Sequence, residues 1–143
     1  MKVLFICTGN MCRSPAAELL LRHYGAARGF EARSRGTGVQ PGFGLHKKMA
    51  ALLKADGVTD LAHKGSLVME PDVDWADLIL VMEEAQRDAL ADQFPQSMRK
   101  TQLLLDYAGL GGELEDPMGK DDKVFKQVFQ TIKQAVLKLI EKK

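Results

Sequence analysis

Two runs of this chain are apolar without a break. Val3-Leu4-Phe5-Ile6-Cys7 and Leu78-Ile79-Leu80-Val81-Met82 show no polar alternation, the pattern of strands buried on both faces of a sheet. Such strands need helices above and below, and the intervening sequence supplies them. Ala16, Leu19, Leu20 and His23 fall at helical spacing and predict a helix over 14–27, with Ser14 as N-cap and Pro15 at the first helical position. A second short strand is expected over 30–34, ahead of a glycine-rich stretch, RGTGVQPGFG. A helix is expected over 45–54, irregular chain over 58–71, a helix over 83–91 and a weaker strand over 101–105. Residues 106–122 read as loop. Val124, Val128, Ile132, Val136, Leu137 and Ile140 then mark a long amphipathic helix at the end of the chain. Strands alternating with helices predict βαβ units, a parallel sheet and right-handed crossovers. With 143 residues, 45% of them hydrophobic, and no linker or repeat, residues 1–143 are read as one domain with one core.

Charge narrows the partners. Twenty Lys and Arg against nineteen Asp and Glu leave a formal net charge of +1, which favours neither nucleic acid nor an anionic membrane surface. The seven lysines from Lys120 onward sit mostly at surface-helix spacing. No apolar stretch approaches the roughly 20 residues of a membrane span, and VLFI is too short for a signal peptide core. Two cysteines make no disulfide framework. A cytoplasmic, reducing compartment is the expectation.

The chemistry is expected where the first strand ends. Cys7-Thr8-Gly9-Asn10-Met11-Cys12-Arg13 spells C-x5-R, followed at once by Ser14. In open α/β sheets the loops at the carboxyl ends of the strands face the ligand crevice. A helix that starts there offers unpaired N–H groups and a partial positive charge, and a curled loop gathers them into an anion nest. Gly9 is expected to relax the backbone and Asn10 to take a left-handed conformation or tie the loop by side-chain hydrogen bonds. Arg13 adds a planar fork that matches two phosphate oxygens. At the floor, Cys7 would be held as a thiolate by the same field and aimed at bound phosphorus, with the Ser14 hydroxyl placed to donate to its sulfur. A C-x5-R string is weak alone, and a strand-end cysteine is more often a packed hydrophobe. A Walker A loop is excluded by the missing Gly-Lys-Ser/Thr, and a metal site by the lack of further ligands beside Cys7 and Cys12. No metal or cofactor is expected.

Extended to CTGNMCRSPAAE, the stretch resembles the signature of the low-molecular-weight protein tyrosine phosphatase family. Ser34-Arg35-Gly36-Thr37, Ala76 to Met82, Glu115-Asp116-Pro117 and the last helix resemble further parts of that family, so the likeness covers nearly the whole chain. The implied fold is a three-layer sandwich around a four-stranded parallel sheet, flavodoxin-like or phosphotyrosine phosphatase I-like. The implied function is hydrolysis of phosphotyrosine-type monoesters through a phosphocysteine. Catalysis then falls to Cys7, Arg13 and Asp116. Thr8, Gly9, Asn10, Met11, Cys12, Arg13 and Ser14 would bind phosphate, and Cys7 and Cys12 would form a reversible redox pair. Asp116 would protonate the leaving oxygen and later activate water. The implied substrate is a phosphorylated protein or a small aryl phosphate, and weak self-association is compatible with such a chain.

The sequence also departs from the family. Aromatics usually follow the Asp-Pro, whereas here Met118 and Gly119 do. Met11, Met118 and Phe43 are therefore the expected substrate walls. Members acting on phosphoarginine resemble this chain around LLLDYAGLGGELEDPMG but place threonine where Met11 stands. Met11 favours phosphotyrosine, with protein-arginine phosphatase as the alternative. An arsenate reductase-like role lacks its downstream thiols, and a phosphate-binding protein without turnover is the non-enzymatic alternative. His23 and Trp75 read as packing residues, and His46 and His63 as too isolated for a metal. Tyr107 is a candidate for lining the cleft, and Asp121 and Asp122 for capping the last helix.

Overall fold

The computed structural model describes residues 1–142. Four strands form the sheet: β1 (Lys2–Cys7), β2 (Glu31–Gly36), β3 (Leu78–Val81) and β4 (Thr101–Leu103). They lie in the order β2-β1-β3-β4, every neighbouring pair parallel. The helices are α1 (Arg13–Gly25), α2 (Lys47–Ala55), α3 (Glu70–Trp75), α4 (Glu84–Gln93), α5 (Leu104–Tyr107) and α6 (Asp122–Lys142).

The unbroken apolar runs explain the three layers. On one face Val3, Phe5 and Cys7 of β1, with Leu78 and Leu80 of β3, pack with Leu20 of α1, Leu53 of α2 and Ile132 of α6. On the other face Leu4, Ile6, Ile79 and Val81 pack with Val73 of α3, Leu90 of α4 and Phe94. Alternate residues of one strand thus feed two separate cores, which leaves no polar position from Val3 to Cys7 of β1 or anywhere in β3. β2 sits at an edge, and its Glu31-Ala32-Arg33-Ser34 alternation buries only one face. Arg33 and Arg35 instead reach Asp72 of α3, at 3.4 and 3.2 Å.

Several local expectations change. The first helix begins at Arg13, so Ser14 lies inside it and is no N-cap, and Pro15 is its third residue. Ser14 is free for another partner because α1 has no side-chain cap at all. The strand expected over 101–105 stops at Leu103, and Leu104 turns the chain into α5. Where irregular chain is expected up to residue 71, a short helix, α3, begins at Glu70; Pro71 fits its first turn and the Asp72 carboxylate accepts from Met69 N at 3.0 Å. Asp121 does cap α6, accepting from Val124 N at 3.1 Å.

The strand order has a physical consequence for the site. From β1 the chain crosses outward to β2, then back over β1 to β3. The crevice between the carboxyl ends of β1 and β3 lies where the order reverses, the place where open sheets of this kind receive ligands. The loop after β1, residues 8–12, and the chain after β3, from Met82, both enter it.

Candidate active site

The loop from Cys7 to Arg13 closes on itself around its own backbone. Asn10 is the only non-glycine residue of the described chain with positive φ, at 55°. This left-handed conformation suits asparagine better than most side chains. The backbone freedom expected of Gly9 is not used. Its φ is not positive, and an added Cβ there would meet only Met11 Cγ, at 4.0 Å. The glycine that the geometry does require is Gly36, where β2 passes the loop. A Cβ there would stand 2.5 Å from the Thr8 carbonyl oxygen.

The turn at Asn10 lets its side chain organise the nucleophile. Ser66 N donates to Asn10 Oδ1 at 3.0 Å, which fixes the amide orientation. Asn10 Nδ2 then donates to Ser14 Oγ at 2.8 Å. Ser14 Oγ has one proton to give: the Arg35 carbonyl stands 3.5 Å away and Cys7 Sγ only 2.9 Å, so a thiolate at Cys7 takes it. Asn10 N also donates to Cys7 Sγ, at 3.3 Å. Two donors therefore converge on this sulfur, which suits a thiolate. His63 Nε2 lies 2.7 Å from the Asn10 carbonyl oxygen, and His46 N donates to the Met11 carbonyl at 2.9 Å. The loop's carbonyls are tied outward in this way. The N–H groups of Gly9, Met11, Cys12, Arg13 and Ser14 take no backbone acceptor among the described residues, and Pro15 has none to offer. Converging N–H groups at a helix start make an anion nest.

Arg13 is buried, with 3% of its surface exposed. Its NH1 donates to Glu83 Oε2 at 2.6 Å and to the Leu114 carbonyl at 2.8 Å. Both hydrogens of that nitrogen are thereby committed, which leaves Nε and NH2 for an anion. NH2 lies 3.9 Å from Asp116 Oδ2. Asp116 is half exposed on the loop before α6, and its Oδ1 accepts from Met118 N at 3.1 Å. Cys12 is buried beside Cys7. Burial first, then the charges of Cys7 and Asp116, push its thiol up to about 12, so it stays protonated and its Sγ donates to Met118 Sδ at 3.3 Å. Both cysteines are free thiols.

These groups line one cleft of about 280 Å³, with Cys7 through Arg13 as floor and Gly38, Gln40, Asp116 and Met118 as walls. The expected residues Cys7, Thr8, Gly9, Asn10, Met11, Cys12, Arg13, Asp116 and Met118 are all brought together there. Ser14 acts from beneath. Phe43 is a correction. It is not among the lining residues and stands half exposed, because its loop instead turns in Gly38 and Gln40. Tyr107 is a second correction. It packs against the core and lies 4.3 Å beneath Lys142 Nζ, away from the cleft. His23 stacks edge-on against Tyr24, and Trp75 packs on the second core under Arg33.

Sequence reasoning missed Glu83, Gln86, His63 and Ser66. The first two follow the carboxyl end of β3, beside the crevice, and that position was their available signal. His63 and Ser66 come from a stretch with no pattern of its own.

A family model described as low molecular weight phosphotyrosine protein phosphatase matches residues 2–143. The chain belongs to this family. It is 33% identical to a protein-arginine-phosphatase of Geobacillus stearothermophilus, over 99% of this chain and 95% of that one. It is 30% identical to the low molecular weight protein-tyrosine-phosphatase Wzb of Salmonella typhi, over 94% and 88%. A low molecular weight protein tyrosine phosphatase from T. tengcongensis superposes with a TM-score of 0.91 at 34% identity, covering 100% of this chain and 99% of that one. Family membership makes the protein a cysteine-dependent phosphatase and accounts for the four-stranded parallel sheet. No helix among the described residues is long and apolar enough to cross a membrane.

Proposed function

We propose that the protein hydrolyses phosphotyrosine-type monoesters through a phosphocysteine on Cys7. The carrying observation is the nest itself: a sulfur that receives two hydrogen bonds, beneath unpaired N–H groups, a buried guanidinium and a carboxylate that share one cleft. In this reading the phosphoryl oxygens take the loop N–H groups and the free side of Arg13. Cys7 Sγ attacks phosphorus in line, the S–P bond forms, and the bond to the leaving oxygen breaks. Asp116 gives that oxygen a proton. The Asp116 carboxylate then takes a proton from water, which displaces phosphate from sulfur. Two buried thiols in one loop also support a reversible Cys7–Cys12 disulfide under peroxide, with water as the other product.

The aryl preference rests on the walls. Met11 and Met118 both line the cleft, and neither carries a hydroxyl or a charge toward a polar leaving group. Thioether side chains adapt to a flat ring and gain sulfur–aromatic contact. The kinship with protein-arginine-phosphatases keeps phosphoarginine as the second reading. Parallel assays on phosphotyrosine and phosphoarginine peptides decide between them. The expected result is kcat/KM at least about ten-fold higher for phosphotyrosine, the factor that a contact difference near 1.4 kcal/mol produces. A preference for phosphoarginine would overturn the aryl assignment, and activity on neither would overturn the phosphatase reading.

A further inference from the structure

A second amide–hydroxyl pair borders the cleft, and it is built like the one that serves Cys7. Gln86 is buried in the first turn of α4, with 2% of its surface exposed. Its Oε1 accepts from Met82 N and from Glu83 N, each at 2.9 Å. Two backbone donors on one atom fix that atom as the oxygen, so the orientation of the amide is determined. Nε2 is then obliged to donate, and it does so to Thr8 Oγ1 at 3.2 Å and to Glu83 Oε2 at 3.5 Å. The Thr8 hydroxyl is thereby made an acceptor on the Gln86 side. Its own proton must point elsewhere, and among the described residues the Thr8 hydroxyl donates to no protein group, so it is available to water or to a ligand in the cleft. Thr8 is exposed and lines the cleft beside Cys7 and Arg13.

The correspondence with the first pair is close. In one, Ser66 N sets Asn10, Asn10 sets Ser14, and the Ser14 proton reaches the sulfur. In the other, two backbone N–H groups set Gln86 and Gln86 sets Thr8, but the last acceptor is not part of the protein. The geometry points to a phosphoryl oxygen as that acceptor: Thr8 is a side-chain donor to the bound phosphoryl group, and Gln86 is the positioning residue that turns its proton into the cleft. This assignment rests on the phosphatase reading of the cleft. It adds a directional hydrogen bond from a side chain to the donors of the loop backbone. It also gives a task to the start of α4, where Glu83 just ahead of the helix holds Arg13 and Gln86 in its first turn holds Thr8.

The test uses the full chain and two readouts, calorimetric binding of inorganic phosphate and its competitive inhibition of p-nitrophenyl phosphate turnover. Thr8→Val removes the hydroxyl at constant shape and is expected to weaken phosphate about ten-fold, the size of one hydrogen bond to a charged group. Thr8→Ser keeps the hydroxyl and is expected to stay within about two-fold of the wild type, since the same bond is retained. Gln86→Met is expected to weaken phosphate about three-fold in the wild-type background, through loss of orientation alone, and to have no further effect in the Thr8→Val background. Should Gln86→Met fail to fold, Gln86→Glu keeps both backbone partners and draws the Thr8 proton away from the cleft, so it must weaken phosphate too. An unchanged affinity in Thr8→Val overturns the role of Thr8. A full effect of Gln86→Met in the Thr8→Val background, or no effect of Gln86→Glu, overturns the role of Gln86. Wild type that binds phosphate without turnover would sink the phosphatase reading and leave the Thr8 comparison intact by calorimetry. No phosphate binding at all would sink both.

Discussion

At the scale of single residues, the loop after β1 does most of its work through hydrogen bonds whose direction can be counted. Asn10 Nδ2 donates to Ser14 because the amide oxygen is already held, and the single Ser14 proton then has a Cys7 thiolate at 2.9 Å as its nearer acceptor and the Arg35 carbonyl at 3.5 Å as its farther one. The acid differs in kind, because Asp116 is half exposed and held only by Met118 N and a loose approach to Arg13. Its proton matters in proportion to how poorly the leaving group departs. Asp116→Ala is therefore expected to lower kcat by about 100-fold on phenyl phosphate and by less than about ten-fold on p-nitrophenyl phosphate, the range of one general acid. A series of aryl phosphates graded by phenol acidity checks this. Equal loss across the series would remove Asp116 from the acid role. Cys7, Arg13 and Ser14 were legible as candidates because C-x5-R-S joins a strand end to a helix start, and the longer stretch CTGNMCRSPAAE resembles a family signature; the string alone is weak. Asp116 was not separable from eighteen other acids until the family likeness singled it out. His63 and Glu83 were illegible, since each serves the loop only after the sheet has brought distant segments together.

At the scale of elements, α1 carries the nest and must be held still. Its apolar side packs against β1, β2 and α6. A polar clamp adds to this at the far end, where Tyr24 OH donates to Asp56 Oδ2 and Lys133 Nζ donates to Oδ1, each at 2.7 Å. One carboxylate thus joins α1, the end of α2 and α6. Burial pushes the Asp56 carboxyl up, but the Lys133 and Tyr24 hydrogen bonds outweigh it and hold it below the ordinary carboxylate range. The folded value lies below the unfolded one, so the clamp stabilises fully above the ordinary range and loses that contribution as pH falls through the folded value. Asp56→Asn is expected to lower Tm by about 3 °C at neutral pH, as about 1 kcal/mol does for a chain of this length. Thermal melts across pH check it, and the gap to the wild type should close in acid. A gap that persists there would show that shape, not charge, was lost. The elements themselves were largely legible, as the continuous apolar runs and the stripe of α6 show. The boundary errors have local causes: β4 is cut short because Leu104 and Leu105 satisfy a helix as readily as a strand, and α3 is too short to show a period.

At the scale of the whole molecule, the sheet order 2-1-3-4 converts separate segments into one site. The crevice between β1 and β3 receives the nest from one strand end, and Glu83 and Gln86 from the other. The acid arrives on a loop whose Leu114 is bound to both Met82 and Arg13. Parallel topology was predictable from the alternation of elements, and with it the position of the site at the carboxyl ends. Which long-range pairs would meet there was not, because no local pattern encodes a contact across seventy or a hundred residues. The central claim is that phosphoryl transfer passes through Cys7. The most direct measurement is rapid acid quench of the enzyme during turnover of p-nitrophenyl phosphate, followed by peptide mass spectrometry, with Asp116→Ala included to slow hydrolysis of the intermediate. The account predicts one phosphoryl group on the peptide carrying Cys7, more of it in Asp116→Ala. It further predicts a loss of turnover by at least about three orders of magnitude in Cys7→Ser, as removal of a nucleophile entails. Turnover that survives Cys7→Ser, or a phosphoryl group found on any other residue, would contradict it.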